Sequence, residues 1–365
     1  MSSTITPMAV YGSAISYFTG KLEAALRYKE IPYLFKAMNA AAQKSLIPAA
    51  TGVFQMPAIE LADGRWLTDS TPMIAWLDKT YLAYKLIPSD PVQRFFALLL
   101  EDYADEWLWR PAMHYRWHYK EGADLAARQL ADELLGDLAL PHFVKRFAVR
   151  TRQRQLFTRG DGVDAENIAH LEAIYLRTLT SLEAIFSQRP YLLGSRPSIA
   201  DIGFFGSMFR HFSIDPVPAA IMRQRAPATY LWVARLWAAR GSTIRGQWLS
   251  NVPADWSPIL DDIGSAYLPY LVANANAVEA KRTHFDVTVQ GARYRNARAS
   301  RYRVWCLERL QAEFNLLDHF DRSNVSESLQ RHQCLEILMK PLRVRSYHDP
   351  EAIAPFAKGL TMLDT

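Results

Sequence analysis

The chain has 365 residues, half of them hydrophobic, and a net charge of +5. That length predicts two domains or one large one with a sizeable core, and so mild a positive balance does not by itself call for nucleic acid. Only Cys306 and Cys334 occur, which excludes a disulfide framework; no signal-peptide pattern is visible, and no apolar run approaches the ~18 residues of a membrane span. A soluble cytoplasmic protein is expected.

Residues 8–11 read as a short buried strand, and 12–16 as a loop. Between 19 and 29, Leu22, Ala25, Leu26 and Tyr28 fall at helical spacing. Residues 31–35 predict a second strand entered through Pro32, and the Ala-rich 38–50 a short helix ending at Pro48. The stretch 53–61 is an apolar strand entered at Pro57, followed by a turn at Ala62-Asp63-Gly64 and a second strand. Asp-Gly between two β-prone runs predicts a hairpin. Pro57 stands where a strand begins, a position that tolerates a missing N–H and often holds a cis bond. Ser70 is the expected N-cap of a helix with Pro72 in its first turn. The resulting β-α-β-α-β-β-α order implies a mixed sheet with helices on its faces.

Residues 86–91 hold two prolines and predict a linker. Helices are expected over 95–109, with Pro111 kinking or ending the run, and over 123–135, 141–157 and 165–187. Ser198 and Asp201 have capping-box spacing ahead of the apolar run 202–212, and 230–239 predicts a further helix ending at Gly241. After a second seam at 251–258 come a helix (259–281), a strand (285–289) turning at Gly291, and a helix (301–319). The expected organisation is residues 1–87, an all-helical 91–250, and a mixed α/β extension, 251–365, packing on the helical domain.

Glu101/Asp105, Asp102/Glu106 and His114/His118 are i,i+4 pairs that could be imagined around a metal. Pro111 separates the acids from the histidines, so a solvated face with Arg110 and Arg116 in ion pairs is preferred and no metal is assigned. Residues 138–160 carry Lys145, Arg146, Arg150, Arg152, Arg154 and Arg159 without an acid, and 291–303 carry five arginines. No nucleic-acid-binding module accompanies them, so a solvated basic face or a contact for an anionic substrate is expected.

Ser16-Tyr17-Phe18-Thr19-Gly20-Lys21-Leu22-Glu23 before a helix, Gln55-Met56-Pro57, and Asp69-Ser70 before the next helix resemble the thioredoxin-like N-terminal domain of glutathione S-transferases. The segment carrying Ser198-Ile199-Ala200-Asp201 resembles that family's all-helical C-terminal domain. The resemblance covers residues 7–245, beyond which an ordinary member has no counterpart. It implies a glutathione site in which the main chain of Met56, before the cis proline Pro57, pairs with the cysteinyl backbone. Gln55 matches the polar residue that often precedes that pair. Asp69 would accept the α-amino group of the γ-glutamyl end, and Ser70, at a helix N-terminus, would hold its carboxylate. Ser16 falls in the slot of the catalytic hydroxyl that stabilises the glutathione thiolate, with Tyr11 as the alternative and Thr19 within reach. The common Ser-Pro pattern is here Ser16-Tyr17. No cysteine precedes Cys306, which rules out thioredoxin-type and Cys-type thiol-transferase mechanisms. Asp105, Trp109, His114 and Trp117 are expected to line an adjacent pocket for a small hydrophobic electrophile. The implied activity is conjugation, or glutathione-dependent lyase or dehalogenation chemistry, in a cytoplasmic homodimer serving detoxification. A non-catalytic binding or assembly module on the same fold is the alternative.

Overall fold

The computed structural model describes residues 6–356 and 359–365. Strands β1 (Met8–Gly12), β2 (Tyr33–Ala37), β3 (Ala58–Glu60) and β4 (Trp66–Thr68) form a four-stranded sheet in the order β2-β1-β3-β4. β1 runs parallel to β2 and antiparallel to β3, and β3 pairs antiparallel with β4 across the predicted turn. The parallel pair needs a crossover, which α1 (Tyr17–Tyr28) supplies; its Leu22, Ala25 and Leu26 are fully buried. The Met56–Pro57 bond is cis, as the position of Pro57 predicts.

Two local expectations change. Pro48 does not end its helix: a π-helical turn (Ala42–Leu46) runs into α2 (Ile47–Thr51), whose first turn holds Pro48 where no N–H is needed. Gly52, left-handed at φ 75°, ends it instead. Ser70 is not the cap of α3 (Ser70–Thr80) but its first residue. The cap is Asp69, at φ 69°, whose carboxylate accepts from Thr71 N–H at 3.3 Å.

Helices α4 (Pro91–Glu106), α5 (Trp109–His118), α6 (Lys120–Leu134), α7 (His142–Phe157), α8 (Ile168–Phe186) and α9 (Ile199–Ser207) follow the linker. The break after α4 falls at Trp107-Leu108, and Pro111 sits harmlessly in the first turn of α5. The capping box at Ser198 and Asp201 is present. The acids of α4 do not form a solvated face: Glu101, Asp102, Asp105 and Glu106 are all buried. α4 lies between α9 on one side and the extension on the other, so its acid-bearing turns have no face left for water. Next come α10 (Pro216–Arg225), which sequence periodicity did not predict, and α11 (Pro227–Ala238).

The extension contains α12 (Ser257–Asp262), α13 (Leu268–Glu279), an antiparallel hairpin of β5 (His284–Val289) and β6 (Ala292–Arg298), and α14 (Arg301–Asn315), α15 (His319–Arg331) and α16 (Leu335–Met339). The predicted helix over 259–281 is interrupted by a π-helical turn, Ile263–Tyr267, and that over 301–319 stops at Asn315. The extension docks on α4 through polar groups. Tyr103 donates to Asp262 at 2.7 Å, and Arg309 donates to Asp102 at 2.7 Å and Glu101 at 2.9 Å. Its last residues go further and return to the first sheet, where Thr68 N–H donates to Pro355 C=O at 3.1 Å and Phe356 packs edge-on against Trp76.

Candidate active site

Ser16 caps α1 in an extended conformation, its hydroxyl 3.4 Å from Thr19 N–H. The loop is held by Tyr17, which is buried, donates to the Ala104 carbonyl of α4, and packs its ring against Phe18, Trp109 and His211. Gly206 of α9 makes room for that ring, since a Cβ there would come within 2.6 Å of it. Tyr17 is therefore an anchor that fixes where Ser16 stands.

Ser16 faces a cavity of about 170 Å³. Ile15, Phe18 and Phe54 line it from the first domain, and Trp109, Met113 and Trp117 from α5. Phe18 stacks on Trp109 with centroids 5.6 Å apart. Gln55 and Met56 border the same space, as do Thr361, Met362 and Leu363 of the extension. Its polar wall is Arg116, Arg152, Gln153 and His211. Arg116 is consumed by the protein: it pairs with Asp215 at 2.9 Å and donates to Ile15 C=O at 2.9 Å. Burial and the neighbouring Arg116 push His211 well below its ordinary pKa, so this imidazole is neutral.

Gln55, Met56 and Phe18 also border a second, much smaller chamber of about 30 Å³, completed by Asp69, Ser70, Glu106, Tyr302 and Met362. Roughly 10–15 Å³ holds one water, so the space suits a couple of waters and no amino-acid-sized group. The extension contributes Tyr302 and Met362 to its wall and crowds Asp69. Tyr302 donates to Asp69 Oδ1 at 3.2 Å, and His348 Nε2 stands 3.2 Å from Oδ2, a charge-distance contact without hydrogen-bond alignment. Leu360 N–H donates to His348 Nδ1 at 2.8 Å, so in the neutral ring the proton sits on Nε2, facing Asp69.

Beneath this chamber lies a buried ionic floor. Lys21 is fully buried, bridges Glu101 (2.5 Å) and Asp105, and also donates to Thr71 at 3.0 Å. Desolvation would raise Glu101, but Lys21 and Arg309 outweigh it and hold that carboxyl at about 2. Asp105, sharing the same lysine, is pushed up by burial and by the Glu101 charge beside it. Glu106 is raised to about 7, chiefly by burial; Arg303, with its Nε 3.6 Å away, opposes the shift incompletely. Glu106 Oε2 has no hydrogen-bond partner.

The glutathione S-transferase N-terminal domain model matches residues 10–95, and the C-terminal domain model matches residues 165–235. The chain is thus similar to glutathione S-transferases over these two stretches, which together make up less than half of it. Among curated proteins, it is 26% identical over 102 residues to glutathione S-transferase U7 of Arabidopsis thaliana, covering 28% of this chain and 45% of that one. Glutathione S-transferase U6 of the same plant is 26% identical over 91 residues, covering 25% and 41%. The matched part thus spans less than half the length of either relative. Among solved structures, the β-etherase LigF from Sphingobium sp. strain SYK-6 superposes with a TM-score of 0.45 at 17% identity, covering 63% of this chain and 95% of that one. A glutathione S-transferase-like protein from Pseudomonas syringae gives 0.43 at 16%, covering 65% and 70%.

Of the expected site residues, Ser16, Gln55, Met56, Trp109 and Trp117 come together on the larger cavity, and Gln55, Met56, Asp69 and Ser70 on the smaller. Three expected residues lie elsewhere. Tyr11 donates to Glu60 at 3.1 Å and accepts from Lys36 at 3.0 Å, on a separate surface depression, so it offers no hydroxyl to the cavity. Asp105 is spent on Lys21 in the ionic floor. His114 Nε2 is 3.2 Å from Glu172, and its ring packs against Tyr115, His118 and Tyr119, away from the cavity. Thr19 is buried facing Gly12. The helical drift after Pro111 explains the miss at His114, because α5 turns Met113, Arg116 and Trp117 inward instead. The acid-free run of α7 did signal Arg152, although not its place on the cavity wall. Nothing in the sequence marked Tyr302 or His348 as partners of Asp69.

Proposed function

We propose that this chain binds glutathione and uses its thiolate to attack a hydrophobic electrophile held in the larger cavity. The observation that carries the reading is the position of Ser16, an N-cap hydroxyl on the wall of an aromatic cavity that Gln55 and Met56 also border. A free thiol ionises near 8.5, and a hydroxyl donor at a helix N-terminus favours the anion. An apolar neighbour holding the electrophile supplies proximity, which is most of what attack on carbon needs. Asp69 and Ser70 have the chemistry to receive the γ-glutamyl ammonium and carboxylate. Their chamber, however, is too small for that group while Tyr302 and His348 cover Asp69. Glutathione therefore enters by displacing the tail that carries His348 and Met362. Conjugation, elimination and dehalogenation all fit this arrangement. Action as a cytoplasmic homodimer in detoxification belongs to the same proposal and rests on the similarity to glutathione S-transferases; among the described residues no helix is long and apolar enough to cross a membrane.

The covered state of Asp69 favours a second reading, the same fold kept as a binding or assembly module without turnover. Glutathione binding by calorimetry, paired with conjugation of an aryl halide, separates the two. The proposal expects binding, and a Ser16→Ala chain that still binds glutathione but turns over about 100-fold more slowly. Binding without turnover supports the module. Absence of binding, in the native chain and in one carrying Tyr302→Phe with His348→Ala, overturns the glutathione site altogether.

A further inference from the structure

We infer that the larger cavity takes aromatic molecules bearing an anionic group, which Arg152 holds at the cavity mouth. This rests on the reading of that cavity as the electrophile site and narrows the class of electrophile. The walls set the first half of the requirement. Phe18, Phe54, Trp109, Trp117 and Phe157 surround about 170 Å³, and an apolar cavity of about 150 Å³ accepts benzene, so one or two fused rings fit.

Charge sets the second half. Among the described residues the cavity is bordered by two arginines and a histidine and by no aspartate or glutamate. Arg116 is neutralised by Asp215, and His211 is uncharged. Arg152 has neither a hydrogen bond nor an ion pair among the described residues; Arg146 shares that state but does not border the cavity, and other basic residues of the helix are engaged. Arg150 pairs with Asp124, Arg154 donates to Trp117 C=O at 2.7 Å, and Lys145 donates to Gly136 C=O at 3.4 Å. The Arg152 guanidinium lies over the Phe54 and Phe157 rings, 5.9 Å and 5.8 Å from their centroids, so a ligand ring packed against either wall has the guanidinium close by. The residue is exposed, as a mouth residue must be, yet the surrounding protein desolvates the charge enough to lower its pKa. A cation beside low-dielectric walls attracts an anion more strongly than the same cation on an open surface. The acid-free run of α7 thus has one member aimed at a ligand, and a carboxylate or similar oxyanion is the bidentate partner a guanidinium prefers.

Calorimetry on the full chain without glutathione tests this with 2-naphthoate and its neutral analogue 2-naphthylmethanol. Naphthoate is expected to bind about 10-fold more tightly, the range of a hydrogen bond to a charged group. Arg152→Gln should bring the two affinities within about twofold, and Arg152→Lys should keep part of the difference. Raising salt should weaken naphthoate alone. Equal affinities in the native chain, an undiminished preference in Arg152→Gln, or no binding of either probe would overturn the inference. Because glutathione is absent from the cell, these outcomes leave the glutathione reading standing. Conversely, a naphthoate preference in a chain that binds no glutathione would refute only the latter.

Discussion

The two spaces that share Gln55, Met56, Phe18 and Met362 are built from opposite materials. Toward Ser16 the walls are aromatic, open at one side, and formed mostly where the first domain meets α5. Toward Asp69 the polar side chains of Asp69, Ser70, Glu106 and Tyr302 join the shared residues around a much smaller space, and Tyr302 and His348 both stand against Asp69. The first domain frames both, so the difference comes from where the extension lands. It gives Thr361, Met362 and Leu363 to the wall of one space, and Tyr302 and Met362 to the wall of the other. On the function proposed above, recognition of an electrophile would depend on the aromatic walls and admission of glutathione on the extension residues beside Asp69.

The floor is the place to break this contrast most severely. Lys21→Met would leave Asp105 without its cation and Glu101 with Arg309 alone. Removing one partner of a buried ion pair costs about 3–5 kcal/mol, so a stability loss of that size is expected in denaturant unfolding. A loss under about 1 kcal/mol would mean that the floor is hydrated rather than sealed.

A second, pH-resolved effect follows from Glu106. In the folded chain it keeps its proton to about 7, while its ordinary value is 4.5. The folded state therefore binds more protons between those values, and this group makes stability fall as pH rises through that window. Glu106→Gln removes the effect. Relative to the native chain, the variant should gain on the order of 3 kcal/mol between about pH 4 and pH 8, because each pKa unit is worth about 1.4 kcal/mol. A difference constant with pH would show that water reaches the carboxyl.

On the open side, Gly206→Ala should cost about 1–3 kcal/mol by driving a Cβ into the Tyr17 ring, and should disturb the Ser16 loop with it. The smallest effect, about 10-fold in glutathione affinity, is expected from Tyr302→Phe with His348→Ala, which releases the contacts that compete for Asp69. Calorimetry reads it directly, and an unchanged or weaker affinity would make the tail a support of the site rather than its cover.

Much of the fold was legible where its signals are local. The Asp63-Gly64 turn, Pro57 and the Ser198/Asp201 box each act within a few residues, and each appears where the spacing put it. The misses share another cause. Whether Ser70 or Asp69 caps α3 depends on the left-handed turn at Asp69, which no residue preference announces. The α4 acids looked like a solvated face because their partners, Lys21 and Arg309, lie 80 and 208 residues away from Glu101. Tyr11 reads as a candidate hydroxyl by position, and only pairing of β1 with β3 brings Glu60 beside it. The covering of Asp69 by His348 is likewise a contact across nearly the whole chain.

Hydrogen exchange at Leu360, whose N–H donates to His348 Nδ1, tests most directly whether glutathione and the tail compete for one place. With saturating glutathione, that amide should exchange at least about 10-fold faster as the tail lifts from Asp69. Glutathione bound with the exchange rate unchanged or slowed would contradict the competition and place the tripeptide elsewhere on the protein.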